Sequence, residues 1–535
     1  MGRALFMALL FLCKFCFSQY EKDSSFKRHI QDFENFIKKV EENFVDDIEV
    51  ERLILSAKKQ TIQSLDPYSK YYTKEESQER NKTWKGISYA GIGATLIQTN
   101  MGVMIYSITK GYGAEKKGLQ PGDIIYKIHD SICLNLKLNN VIKLLKGPPN
   151  TEVEITVKRD ELYKFEKIVR QNIISPSISF SDTIGNNIGL IKIDQFLRGS
   201  GQLFRDKLEQ LISRGATKIV LDLRGNRGGL VNETVMALSA VLKKGTIIYE
   251  LKSNDLKSNY IDSTTLEPIS TTIPLVLLVD TKTISSGEIF SGALQDLDRA
   301  VLIGQNTFGK GLVQGTRFFE DGSSIYITAA RYHLPSGRCI QKKNYNKNYN
   351  LGLPSNLTNN KIFFSHNKRP LKNANGVSPE IKLGHKSEEL MIFQVIEKTT
   401  LPFDFAIKCY KNHYNDYSKN WRDIQIKWKY YLIENKDKIL LEQDSHLSAL
   451  ELKKNSRKWL KSLEKTNQLW QKEKVKQIEN TYLETSILVK EKLILFNEFK
   501  QGLYLFKSQL DPWVLKAIEI FNSNQYDKIL NPQQK

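Results

Sequence analysis

Two apolar runs, within Lys218-Ile219-Val220-Leu221-Asp222 and Ile273–Val279, constrain the fold of this chain most. Neither alternates polar with apolar residues, so each reads as a strand covered on both faces, as in a parallel sheet between helices. Ile188–Ile193 is a third run of the same kind. Between them, Ser200 can cap a helix whose Leu203, Phe204, Leu208, Leu211 and Ile212 share a face, and Gly215 closes it. Residues 173–390 are therefore expected to form an α/β domain.

At 535 residues the chain is too long for one core. Residues 85–172 change texture to glycine and β-branched residues, with short strands at Gly102–Tyr106, Ile124–Ile128 and Val153–Val157, a small mainly β module. Ahead of it, residues 19–84 are charged, and Phe33, Phe36, Ile37 and Val40 mark an amphipathic helix. That segment ends at Leu65-Asp66-Pro67-Tyr68-Ser69, where proline disfavours helix at the residue before it. Residues 391–535 are nearly free of glycine and hold five of the six tryptophans, which predicts a basic helical domain with Trp as core and interface anchors.

Residues 1–18 read as a signal peptide, with Arg3, an apolar stretch from Ala4 to Leu12 and a small residue at Ser18. The stretch falls short of the ~20 apolar residues a membrane span takes, although an uncleaved anchor is the rival reading. Export to the periplasm or cell envelope is thus expected. Past that segment, Cys133, Cys339 and Cys409 are too few and too dispersed for a disulfide framework or a zinc site. The net charge of +20 comes from lysines mixed with acids and without an Arg-rich run, which argues against nucleic acid. It suits solvated faces, or peripheral contact with an anionic membrane surface.

Chemistry concentrates after the buried strands. Ser285 follows the strand ending at Val279 and precedes a helical pattern beginning Glu288-Ile289-Phe290. The free amides of a helix start suit a tetrahedral oxyanion, though a serine in that place is by itself more simply a helix cap. None of the seven histidines sits in a glycine-rich turn of the α/β block. The alternative base is a lysine kept neutral by burial. Lys310, between Gly309 and Gly311 after the strand Ala300–Ile303, is the best candidate; an exposed loop lysine is the plainer reading. Gly304 to Lys310 also fits G-x-x-x-x-G-K, but Gly311 stands where Ser or Thr would hold magnesium, and strand-like residues follow instead of a helix. The nucleotide-loop reading is rejected. Asp222-Leu223-Arg224-Gly225-Asn226-Arg227-Gly228-Gly229 closes another buried strand, and its two glycines allow uncrowded amides.

Together these segments resemble the C-terminal processing peptidases, the tail-specific proteases that join a PDZ domain to a crotonase-like α/β core. Ser285 to Asp296 resembles the family's nucleophile segment, and Phe308 to Gln314 its lysine segment, 25 residues on. Leu65–Ser69, Tyr332–Arg338 and Gly376–Glu380 resemble three further family motifs, in the same order. The resemblance implies Ser285 as nucleophile, Lys310 as general base and Gln314 as the group orienting the lysine amine. It gives the oxyanion hole to Gly228, Gly229 and Ser286. Departures are Ile284 before the serine, Ser286-Gly287 after it, which makes Ser286 a neighbouring rival nucleophile, and Arg227 where proline is common.

Tyr89 to Ala94 resembles the carboxylate-binding loop of a PDZ domain. Gly91, Ile92, Gly93 and Ala94 would hold a free C-terminus while the peptide adds as a strand. Gly118 to Asp123 and Gly147-Pro148-Pro149 resemble its other turns. The expected partners are proteins with unstructured, apolar C-termini; no metal or other cofactor is called for. A catalytically inactive PDZ scaffold is the alternative. For the C-terminal domain, homo-oligomer contact, substrate funnelling and partner docking stay open.

Overall fold

The computed structural model describes residues 25–531, apart from 85–86, 175, 186, 254–258, 343–361, 373–374, 385–390, 412–418 and 441–456. The signal segment lies outside the described residues. The described chain forms two compact units.

The smaller unit gathers the residues up to Glu79 with 313–329. It holds a helix over 25–43, a second at Val50–Gln63 and a short strand, Lys70–Tyr72, antiparallel to Ser324–Tyr326. The sequence pattern reads residues 19–84 as a helical region broken at Leu65–Ser69, and it does not mark the strand that follows that break. The strand arises because Lys70-Tyr71-Tyr72 finds a partner some 250 residues away, which no local period encodes. The turn before it is built on Asp66, whose carboxylate accepts from the amides of Tyr68 and Ser69 at 2.8 Å each and from the Ser69 hydroxyl at 2.9 Å.

The larger unit contains the β module and the α/β layer. In the module, Ala94–Thr99, Gly102–Ile108, Ile124–Ile128, Glu152–Arg159 and Leu162–Val169 form an antiparallel sheet in that order. Val103, Ile105, Ile125, Val153, Ile155 and Ile168 fill its core with the helix Leu138–Leu145.

The α/β layer is a six-stranded sheet: Ile178–Ile184, Ile188–Ile193, Lys218–Asp222, Leu275–Val279, Val301–Gly304 and Ile381–Lys382. Only the first pair is antiparallel. Both apolar runs therefore sit mid-sheet, and every residue of Leu275–Val279 is buried. On one face run the helices Ser200–Ser213 and Ser286–Asp296, where Phe290 packs on Phe204 and Phe196.

The other face holds a surprise for the sequence reading. It is covered by Pro512–Phe521 and Gln525–Leu530, with Trp513, Val514, Ala517 and Ile520 against Val220, Val276, Leu278 and Val301. The C-terminal segment is thus not wholly a separate helical domain, because a central parallel sheet needs cover on both faces and the chain's last helices supply it. The remaining helices, Met391–Lys398, Leu401–Lys411, Trp421–Glu434 and Arg457–Leu510, build their own core around the fully buried Trp428. They also pack on the β module, Phe403 stacking on Tyr106 at 4.9 Å. Among the described residues, no helix is long and apolar enough to cross a membrane.

Candidate active site

Parallel strands ending on one edge deliver three turns to one place. The first follows Leu275–Val279 and carries Ser285, whose φ of 58° and ψ of −117° lie in a region that costs a non-glycine residue about 1–3 kcal/mol. The next residue starts the helix Ser286–Asp296, so Ser285 is presented on a strained strand-to-helix turn. The surroundings pin it there. Asp280 accepts from Lys282 and from Gly225 of the neighbouring turn at 3.0 and 2.9 Å, and the Thr283 hydroxyl donates to the Leu223 carbonyl at 2.8 Å.

The second turn, after Lys218–Asp222, brings Gly228 against the serine. A Cβ added at Gly228 would stand 2.9 Å from the Ser285 Cβ and 2.8 Å from the Ile284 carbonyl oxygen, and its φ is 73°. Only glycine fits. Its amide, however, donates to the Asn226 side chain at 2.8 Å, which removes it from the set of oxyanion donors expected from the sequence. Gly229 and Ser286 retain theirs: neither amide donates to another described residue. The Ser286 hydroxyl is buried and donates to the Gly229 carbonyl at 2.9 Å, so it is occupied where Ser285 is half-buried and accessible.

The third turn, after Val301–Gly304, carries Lys310, itself half-buried. A strand, Leu312–Phe318, follows it, in keeping with rejection of a phosphate-binding loop. The loop is docked on the serine turn by Phe308, whose amide donates to the Thr283 carbonyl at 3.0 Å. Tyr332, 1% exposed, donates to the Lys310 carbonyl at 2.6 Å.

The residue that joins serine to lysine is one the sequence reading used only as a helix position: Glu288. Its Oε2 accepts from the amides of Ser285 and Lys310, at 2.9 Å each. The two backbone nitrogens thus stand less than two hydrogen-bond lengths apart. Its Oε1 accepts from the Thr307 hydroxyl and the Gly309 amide, both at 2.6 Å. Burial pushes the Glu288 carboxyl up, and these donors oppose the shift. Four donors and, among the described residues, no hydrogen-bond acceptor face it, so the carboxylate is the form that fits. The S-x-x-E spacing Ser285–Glu288, a helix-start signature, was the signal available in the sequence. Glu288→Gln keeps the shape but turns an N–H₂ toward these donors. It is expected to lose about 2 kcal/mol of stability in urea unfolding, or more, and to slow any reaction at Ser285.

Gln314 lies on Leu312–Phe318 in the smaller unit, its amide donating to the Thr328 hydroxyl at 3.1 Å. In the β module, Gly91 ends the strand Ile87–Gly91 and Ala94 opens Ala94–Thr99. The carbonyls of Ile92 and Gly93 between them accept from Ala114 and Thr109 at 2.8 Å each, while their amides donate to no other described residue. Gly93 has φ 82°, and a Cβ there would collide with the Tyr112 Cβ at 2.2 Å.

Known proteins share these segments. Residues 187–351 match the model of peptidase family S41, and residues 104–159 that of a PDZ domain. The probable CtpA-like serine protease of Staphylococcus aureus (strain N315) is 34% identical over 290 residues, 54% of this chain and 58% of that protein. The one from Staphylococcus epidermidis is 32% identical over 289 residues, with the same coverage. The chain therefore spans little more than half the length of these relatives. Among solved structures, the photosystem II D1 C-terminal processing protease is similar at 21% identity and a TM-score of 0.37, over 66% of this chain and 92% of that one. The PDZ domain of the carboxy-terminal protease from Vibrio cholerae is similar at 30% identity and a TM-score of 0.15, over 16% and 96%. Residues 187–351 are thus similar to peptidase family S41 and residues 104–159 to a PDZ domain, and about half of the chain is similar to CtpA-like serine proteases.

Proposed function

We propose that this chain is an exported serine endopeptidase that captures envelope proteins by their C-termini and cuts them near that end. The domains would be a signal peptide (1–18), a helical region (19–84), a PDZ domain (85–172), a crotonase-like protease core (173–390) and a C-terminal helical region (391–535). The observation that carries the reading is the Glu288 carboxylate, which accepts from the amides of both Ser285 and Lys310 and so brings nucleophile and base segments together.

In the reaction, the neutral Lys310 amine takes the proton of the Ser285 hydroxyl as its oxygen attacks a peptide carbonyl. The oxyanion rests on the amides of Gly229 and Ser286, and Gly228 leaves room for its approach. The lysine ammonium then gives its proton to the leaving amine, and water releases the acyl-enzyme, again with Lys310 as base. Gln314 would orient the lysine amine, as the family resemblance implies. The amides of the Gly91-Ile92-Gly93-Ala94 loop receive the tail's carboxylate, and binding in the same chain raises its concentration at the serine.

Purified protein is expected to cut a loosely folded reporter with an apolar C-terminal tail, and to stop when Ser285 is replaced. A wild-type protein that binds the tail without cutting would instead be a scaffold, and would refute the reading. Amidating the reporter's terminus removes the charge that the loop receives. Tail affinity should fall by about 10- to 100-fold in a fluorescence titration, the range of a charge-assisted hydrogen bond.

A further inference from the structure

The helices after residue 500 lie beyond the peptidase S41 match, which ends at residue 351. They nevertheless reach the turn that carries Gly228 and Gly229. Asp222, at the end of its strand and 1% exposed, accepts from the Tyr504 hydroxyl at 2.6 Å. The same carboxylate accepts from Arg224 through Nε at 3.0 Å, through Nη2 at 2.7 Å and through the backbone amide at 2.8 Å. From the other side Asp511 holds the Arg224 Nη1 at 2.6 Å, and the Trp513 ring lies 5.2 Å from the guanidinium. Lys192 reaches both Asp222 and the Arg224 carbonyl.

Trp513 also touches the strand that launches the lysine loop. A Cβ added at Gly304 would stand 2.5 Å from the Trp513 ring, and Gly304 ends Val301–Gly304, six residues before Lys310. One short helix start, Asp511-Pro512-Trp513, thus abuts two of the three turns that build the site. Asp511 has two tasks there: one carboxylate oxygen caps the Trp513 amide at 2.8 Å, and the other pairs with Arg224.

We infer that Tyr504, Asp511 and Trp513 are positioning residues of the protease site, and that the C-terminal helices brace the oxyanion turn through Arg224. They touch no reacting atom. Their effect is to fix where the Gly229 amide points relative to Ser285, and displacement by about 1 Å at such a donor is enough to slow chemistry severely. The inference rests on the reading of Ser285 and Lys310 given above.

The test uses the full chain with Asp511→Asn, Tyr504→Phe and the double variant. Asparagine caps a helix as well as aspartate, so Asp511→Asn removes the charge facing Arg224 and spares the helix start. Each single variant is expected to lower kcat about tenfold, and the double variant more, with KM and tail affinity unchanged and Tm shifted by only a few degrees. Glu519→Gln, an exposed change on the same helix, should leave the rate alone. Rates equal to wild type in both single variants would overturn the inference, as would losses that vanish on cooling to temperatures where each variant is fully folded. If wild-type cleavage is unaffected by Ser285→Ala, it is the site reading that fails, and this inference fails with it.

Discussion

Ser285→Ala is expected to lower proteolysis by about six orders of magnitude, as removal of a nucleophile does in serine proteases generally. No neighbouring hydroxyl can substitute. Ser286 is buried and its hydroxyl is committed to the Gly229 carbonyl at 2.9 Å. What remains in the variant is the pair of oxyanion amides and substrate binding, which alone give about 10³- to 10⁴-fold over water in such enzymes. Tail affinity should be unchanged, because the Gly91–Ala94 loop belongs to a different sheet. Parallel assays of peptide release and tail binding check both halves. Retention of a measurable fraction of wild-type cleavage would move the nucleophile elsewhere.

Lys310→Arg is expected to be almost as damaging, by about 10²- to 10⁴-fold, the usual worth of a positioned general base. Guanidinium keeps its charge at any physiological pH and cannot take the serine proton. The backbone bonds of Lys310, its amide to Glu288 and its carbonyl to Tyr332, do not depend on the side chain and remain in the variant. An arginine variant with normal Tm and near-normal rate would exclude Lys310 as the base. Thermal melts alongside single-turnover cleavage separate the two cases.

The core was legible in the sequence because burial on both faces leaves a simple trace. Continuous apolar runs at Lys218–Asp222 and Ile273–Val279 become mid-sheet strands, and the residues just past them carry the candidate site, where strand-end turns of parallel sheets place ligands. Glu288 was harder. A glutamate in the first turn of a helix is ordinary, and only the fold turns it inward, where the ends of two distant segments need an acceptor. The sequence reading gives Gly228 an oxyanion amide, but that amide is occupied by the Asn226 side chain, a contact that leaves no spacing signal.

Local order in the sequence was enough to mark the buried strands of the α/β layer, the helical pattern from Glu288 and the candidate residues, since each depends on neighbours within a few positions. Contacts between remote segments were settled only by tertiary packing. The strand Lys70–Tyr72, the union of the Ser285 and Lys310 turns on one carboxylate, and the return of Pro512–Leu530 to cover the sheet all belong there. The physical reason is common to the three. Each satisfies a requirement, whether an unpaired strand edge, a ring of unspent donors or a bare apolar face, that appears only once the rest of the chain has folded.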